Sequence, residues 1–168
     1  MGRSIKIMLT LAAFAFVNAG LSAQDYLTKD GKLTHPLKLT ELQGGFAGFT
    51  GVQITIAIDG SWTSETVFNK KPTPKDKGQL SAKEMTALAE LLTKYELKKL
   101  PVQSGKQPGA NPHSIAIEFG ALKANITGAM PPALDAANPT GTVESRFAGI
   151  WEGVGRLTAP KGKKAAGE

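Results

Sequence analysis

The clearest regular pattern in the chain is the alternation of apolar and polar residues from Val52 to Ile58. Apolar side chains occupy every second position, which places them on one face of a strand, because successive strand side chains point to opposite faces. Asp59-Gly60 follows, a pair that accepts the positive φ angles of a tight hairpin turn. The pattern therefore predicts a hairpin whose return strand is Ser61 to Phe68.

Further strands are predicted on both sides of this hairpin. A short first strand covers Leu37 to Leu42, and alternating patterns predict two more strands at His113 to Phe119 and at Leu122 to Thr127. Gly120 lies between the last two and marks a tight turn. Because short connections join antiparallel neighbours, these strands are expected to pair antiparallel.

Two helices complete the predicted elements. The first begins at Ser81, where Glu84 completes a capping box, and it ends near Leu97. Thr142 can cap the second helix. Apolar residues recur at helical spacing in both, which indicates core-facing stripes: Met85, Leu88, Leu91, Leu92 and Tyr95 in the first, and Val143, Phe147, Ile150, Val154 and Leu157 in the second.

These elements predict one α+β domain over residues 37–157. Their order is β-β-β-α-β-β-α, and the economical arrangement is a single antiparallel sheet of about five strands with two helices packed on its apolar face. Residues 44–51 are expected to form a glycine-rich loop. Residues 69–79 are expected to form a loop rich in lysine and proline.

The N-terminal residues have the pattern of a cleavable export signal. A positively charged start precedes an apolar run over Ile7 to Val17, and small residues lead up to Ala23. We therefore predict a signal peptide over residues 1–23, cleaved after Ala23, and an exported protein of the periplasm or the extracellular space. The run is too short for a helix that spans a bilayer. Residues 24–36 are expected to be a flexible N-terminal arm, and residues 158–168 a disordered basic tail.

Composition narrows the functional classes. The chain has 168 residues and no cysteine, which excludes a disulfide framework, a thiol nucleophile and zinc–thiolate sites. Its formal charge is +6, but the chain lacks the arginines and interleaved aromatic residues of a nucleic-acid groove. We therefore expect no nucleic-acid partner and interpret the lysines as solvated loop charge: Lys70, Lys71, Lys75, Lys77, Lys161, Lys163 and Lys164.

The sequence contains no recognisable catalytic motif. His35 and His113 have no second ligand at zinc spacing, and no Gly-x-Ser-x-Gly nucleophile elbow occurs. The glycines of residues 44–51 precede a strand, whereas those of a phosphate loop precede a helix. The sequence therefore predicts no enzyme, no metal and no cofactor, with His113 at the surface. One catalytic hypothesis remains, a hydrolase built on His113 and a carboxylate that folding brings to it.

A series of short motifs follows in order along the predicted domain: Gly44-Gly45-Phe46-Ala47-Gly48, Asp59-Gly60, Leu80-Ser81-Ala82-Lys83-Glu84, Leu88-Ala89-Glu90-Leu91-Leu92, Leu100-Pro101, Gly109-Ala110 and Pro131-Pro132-Ala133-Leu134. Together they resemble the emfourin family, inhibitors of protealysin-like enzymes within the thermolysin-like metalloproteases. The resemblance covers roughly Leu37 to Leu157. The chain departs from the family in the lysine-rich segment 69–79 and at residues 111–114, where family members often carry an acidic residue and an aromatic pair.

This resemblance implies a proteinaceous inhibitor that occludes the active-site cleft of a thermolysin-like metalloprotease with its N-terminal region and neighbouring loops. Such proteases resemble one another in favouring a bulky apolar side chain just past the scissile bond. An apolar anchor that enters a pocket is a usual hot spot of binding. The candidate partner-binding residues are therefore those of the glycine-rich loop: Gly44, Gly45, Phe46, Ala47, Gly48 and Phe49.

Two alternatives stay open at this point. Phe46 and Phe49 can instead cap the open edge of the sheet as ordinary core residues, and we favour that simpler interpretation from the sequence alone. In that case Gly44 and Gly45 merely set a bulge or a turn. The alternative function is a non-catalytic binding or structural module of the cell envelope, with a partner that the sequence does not name.

Overall fold

A computed structural model describes residues 23–106 and 110–160. The predicted export signal, apart from Ala23, and residues 161–168 of the predicted tail lie outside the described residues. The helices and strands within them are β1 (Leu37–Gly45), β2 (Gly48–Ile56), β3 (Ser61–Phe68), β4 (Lys71–Gln79), α1 (Ala82–Lys94), β5 (Ser104–Gly105), β6 (His113–Phe119), β7 (Leu122–Gly128) and α2 (Val143–Leu157).

Seven strands of the described chain form one sheet in the order β4-β3-β2-β1-β6-β7-β5. Neighbours pair antiparallel, except that the short β5 runs parallel to β7. The predicted α+β class with one sheet and two helices is confirmed. The predicted strand number is too low, because β4 and the two-residue β5 were not predicted as strands.

The expectation that residues 69–79 form a loop is wrong, because Lys71–Gln79 pairs with β3 as an edge strand. The connecting residues Asn69 and Lys70 have φ angles of 47° and 66°, the left-handed region that a tight hairpin turn requires. Pro72 and Pro74 fit here because one side of an edge strand has no ladder hydrogen bonds to lose. Proline and lysine are rare in strands, so the composition concealed this one.

The core lies between one face of the sheet and the two helices. Leu39 faces Ile54 on one neighbouring strand and Ile117 on the other, and all three are buried. Both predicted helical stripes contribute to this core. Burying each large apolar side chain stabilises the fold by about 1.5–3 kcal/mol. The capping box is confirmed, since Ser81 N–H donates to Glu84 Oε2 at 2.8 Å and the Glu84 N–H donates back to Ser81 Oγ at 3.4 Å.

The segment expected to be a flexible arm, residues 24–36, is instead packed onto the core. Tyr26 and Leu33 are fully buried. The Leu33 N–H donates to the carbonyl oxygen of Ile58 at 2.9 Å, and the Tyr26 ring meets Phe119 edge-on at 5.7 Å between centroids. The polar surroundings of these two apolar residues concealed them in the sequence.

The predicted C-terminal limit of the domain also needs a small correction. Thr158 was assigned to the disordered tail, but it caps α2 and is buried. Its hydroxyl donates to the Val154 carbonyl oxygen at 2.9 Å. The packed domain therefore extends beyond residues 37–157 at both ends.

Candidate functional site

The expectation that residues 44–51 form a loop is wrong, because Gly44 and Gly45 end β1 and residues 48–51 begin β2. The segment is the tip of the β1–β2 hairpin. Gly45 pairs with Gly48, so that Phe46 and Ala47 alone form the turn. The Phe46 side chain is fully exposed, and Phe49 is 41% exposed. The interpretation of the two phenylalanines as core residues is therefore wrong, because no other element of the described chain covers this end of the sheet tightly enough to bury them.

One side of this tip is fastened to the neighbouring hairpin turn. The Phe49 N–H donates to Asn69 Oδ1 at 2.9 Å, and the Asn69 N–H donates to the Phe49 carbonyl oxygen at 2.8 Å. Gly48 makes this approach possible. Its φ is +111°, and a Cβ atom there would lie 2.0 Å from Asn69 Oδ1, which only glycine avoids.

The other side of the tip is fastened to the residues that precede β6. The Gly44 N–H donates to the Pro112 carbonyl oxygen at 2.6 Å, and Gln43 Nε2 donates to the Asn111 carbonyl oxygen at 3.0 Å. Gly44 is buried, and a Cβ atom on it would lie 2.6 Å from the Pro112 ring. The tip is therefore held on both sides, which lowers the entropy that a partner would have to remove on binding.

A third exposed phenylalanine, Phe68, lies at the same end of the sheet and is 52% exposed. It ends β3 and pairs with Thr50 of β2. Because Phe49 is the neighbour of Thr50, strand alternation puts Phe49 and Phe68 on opposite faces of the sheet, with Phe46 beyond the end. We call Phe46, Phe49 and Phe68 the aromatic end. Sequence reasoning treated Phe68 only as a strand residue, although its place directly before a turn could have signalled exposure.

His113 does not lie at the surface as predicted, since it is only 4% exposed. Its Nε2 lies 2.8 Å from Glu41 Oε1, which reaches it from β1. An ionised Glu41 makes Nε2 the protonated nitrogen that donates this hydrogen bond. Nδ1 is buried and has no hydrogen-bond partner in the described residues. Folding therefore supplies the carboxylate that the hydrolase hypothesis required, a pairing that strand register decides and sequence spacing does not.

A cavity of about 470 Å³, open to solvent, borders His113. Its lining is mainly apolar, with Ile126, Met130 and Pro132, and it also includes Thr127, Lys106 and Glu144. The Thr127 hydroxyl accepts a 3.5 Å hydrogen bond from the Asn125 side-chain amide, and the only side-chain hydrogen bond of His113 within the described chain is to Glu41. The pair orients an imidazole, but no hydroxyl nucleophile of the described residues contacts it.

The remaining chemistry of the site is limited. The described residues contain no group of three histidine, aspartate or glutamate side chains placed to hold a metal ion. His35, the other histidine, packs its ring edge-on against Phe119 at 5.5 Å, at the end of β1 opposite the hairpin tip. Among the described helices, neither is long and apolar enough to cross a membrane.

The fold and the site define a small α+β protein that presents aromatic side chains on two hairpin tips joined to each other. Comparison with protein-family models and with curated proteins finds no match. The resemblance to the emfourin family therefore supports a proposal about function and does not establish membership.

Proposed function

We propose that this protein is an exported inhibitor of a thermolysin-like metalloprotease and that it acts by occluding the active-site cleft. The observation that carries the proposal is the full exposure of Phe46 on a turn that is held on both sides. It is supported by the ordered resemblance to the emfourin family, which includes the residues of this turn.

The physical argument concerns the side chain and the rigidity of its turn. Full burial of a phenylalanine side chain in a partner pocket is worth about 1.5–3 kcal/mol. The hydrogen bonds of Asn69 and Pro112 hold the turn in advance, so less of this free energy is lost in ordering it. The same bonds resist the extension of residues 45–48 that a protease requires of a substrate. A rigid turn can therefore occupy a cleft without being cleaved.

The described N-terminal residues do not belong to this contact. β1 has nine residues, so at roughly 3.4 Å per residue its two ends lie about 27 Å apart. Tyr26 and Leu33 pack near the Leu37 end, whereas Phe46 follows the Gly45 end. The resemblance implied occlusion by the N-terminal region together with neighbouring loops. We assign the contact to the hairpin tips alone.

The test is a titration of the mature protein against several thermolysin-like metalloproteases. We expect stoichiometric loss of protease activity. Phe46→Ala should weaken inhibition by at least about tenfold, which corresponds to 1.4 kcal/mol, without a change in thermal stability. Ile58→Ala is the matched control, because Ile58 is also an exposed apolar residue but lies beyond the opposite end of β2.

Two results would contradict the proposal. The first is an absence of inhibition at micromolar concentration across all the proteases. The second is a loss of stability in Phe46→Ala on the scale of a core truncation, about 3–5 kcal/mol, because it would mean that Phe46 packs inside the protein.

A non-inhibitory binding module of the envelope is the second candidate, and the same exposed aromatic end supports it. Capture of partners from an envelope extract distinguishes the two. An abundant partner that is not a protease, retained by the wild type and lost with Phe46→Ala, favours the binding module.

A further inference from the structure

The aromatic end also carries positive charge. The turn after Phe68 consists of Asn69 and Lys70, and Lys71 is the first residue of β4. Both lysines are exposed. No ion pair involves either of them within the described part of the chain. Their charges are therefore available to a partner that meets Phe46 and Phe68.

The β3–β4 hairpin as a whole also carries a net positive charge. It carries four lysines against two carboxylates, Glu65 and Asp76. Glu65 is already engaged, because Gln53 Nε2 donates to its Oε2 at 2.7 Å. Glu65 lies three residues before Phe68 in β3, and Asp76 lies five residues after Lys71 in β4, so neither carboxylate is in the turn. The two carboxylates therefore leave the charge of the turn uncompensated.

The backbone conformation at position 70 is unfavourable for a lysine. Its φ angle is 66°, a conformation in which glycine is comfortable and a long side chain is strained. A strained residue in a turn suggests a role outside the turn itself. We assign that role to the side chain of Lys70, which is exposed and lies two positions after Phe68.

We infer that the partner is a protein whose apolar pocket has carboxylates on its rim. Phe46 enters the pocket, Phe68 forms a second apolar contact from the adjacent hairpin, and Lys70 and Lys71 face the rim carboxylates. This inference rests on the proposed function and adds to it the second anchor and the charge of the protease surface. Complementary charge chiefly accelerates association and selects the partner.

The geometry favours this partner over an anionic membrane. Recognition of acidic lipids typically uses clusters of four to eight basic residues, and only two of the hairpin's four lysines, Lys70 and Lys71, lie at the turn beside Phe68. The aromatic end is also narrow, because each of the two hairpin turns that form it has only two residues. A narrow, rigid projection suits a pocket better than the plane of a bilayer.

The test uses a protease that the wild-type protein inhibits and measures association and dissociation rates at low and at physiological ionic strength. Phe68→Ala should weaken inhibition by about fivefold or more. The double variant Lys70→Glu/Lys71→Glu should slow association by about tenfold or more at low salt and leave dissociation nearly unchanged. Lys29→Glu/Lys83→Glu is the matched control, since it makes the same charge change at exposed positions away from the aromatic end.

Each outcome has a defined meaning. Slower association in the turn variant, with the control unchanged, supports the acidic rim. Equal rates for the turn variant and the control, or full inhibition by Phe68→Ala, overturn this inference and leave the proposed function standing. If the wild type inhibits no protease, both fail together.

The membrane alternative is tested with the same proteins. Wild type and turn variant are sedimented with vesicles of phosphatidylcholine and phosphatidylserine. Binding that the wild type shows and the turn variant loses would overturn the assignment of a protein partner. Circular dichroism and thermal unfolding confirm that every variant is folded.

Discussion

The two ends of β1 use aromatic residues in opposite ways. Near Leu37, the N-terminal segment lies over the sheet, and Tyr26 and Phe119 are buried against each other. At the Gly45 end no segment of the described chain covers the Phe46 side chain, which is left in solvent. The difference shows that the role of an aromatic residue here depends on whether another segment returns to cover it.

The two ends also differ in what holds them together. The covered end is held mainly by apolar burial, to which Leu33 and Tyr26 contribute. The aromatic end is held by hydrogen bonds from Asn69 and Pro112. Truncating a side chain at the covered end should therefore mainly change stability, whereas truncating a phenylalanine at the aromatic end should mainly change binding.

Leu33→Ala should have the largest effect on stability. Removing a fully buried leucine side chain leaves a cavity and should lower the free energy of unfolding by about 2–5 kcal/mol. Urea denaturation measures this, with the exposed Ile58→Ala as control, for which we expect a change within about 0.5 kcal/mol. Equal losses in the two variants would show that the N-terminal segment does not pack as described.

Gly48→Ala should come next, at about 1–3 kcal/mol, because it forces a side chain into a positive-φ conformation against Asn69. It should also misplace Phe46 and weaken inhibition. Gly45→Ala is the matched control on the facing strand, where a Cβ atom would come no closer than 3.8 Å to another group. If both variants lose stability equally, the link between Gly48 and Asn69 is not what holds the tip.

Glu96→Gln should have a small effect that depends on pH. The hydrogen bond from Lys99 at 2.6 Å, together with the nearby Arg146 guanidinium, lowers the pKa of Glu96. The folded state therefore favours the carboxylate, so its stabilisation is present above the unfolded-state pKa of about 4.3 and is lost as the pH falls through the lower, folded pKa. Near neutral pH the free energy of unfolding of Glu96→Gln should be lower than that of the wild type by at most about 1 kcal/mol. This difference should vanish in acid.

Tyr26→Phe should be nearly silent at neutral pH and visible only in alkali. Burial raises the pKa of Tyr26, against a weaker opposing influence from the Lys98 backbone. The unfolded chain therefore loses the phenol proton first, so the stabilisation is complete below about pH 10 and is lost as the pH rises through the folded pKa. Thermal unfolding between neutral and alkaline pH measures it. If the stability of Tyr26→Phe fell with rising alkaline pH as steeply as that of the wild type, this result would contradict the burial of the phenol.

Most of the regular structure was predictable because it is encoded locally. Alternation gave residues 52–56 of β2, although it missed the first four residues of that strand and ran two residues past its end, and the capping box marked the start of α1. β4 was missed because its lysines and prolines are unfavourable in most strands. An edge strand tolerates them, and that position is set by the pairing with β3.

The candidate site was predicted only in part. The glycine pattern pointed to residues 44–49, but it was Asn69, 21 positions beyond Gly48 in the chain, that explained why the turn is rigid. The exposure of Phe46 and the contribution of Phe68 also escaped the sequence patterns. Both depend on which segments return to a given end of the sheet, and a local pattern does not contain that information.

The sequence by itself determined the α+β class, the main strands, both helices and the position of the glycine-rich segment, because periodicity, capping and turn chemistry act over a few neighbouring residues. Only the tertiary structure decided that Tyr26 is buried and Phe46 exposed, and that Glu41 meets His113. Burial and partnership between distant residues follow from strand register and from the coverage of the sheet, which long-range packing sets.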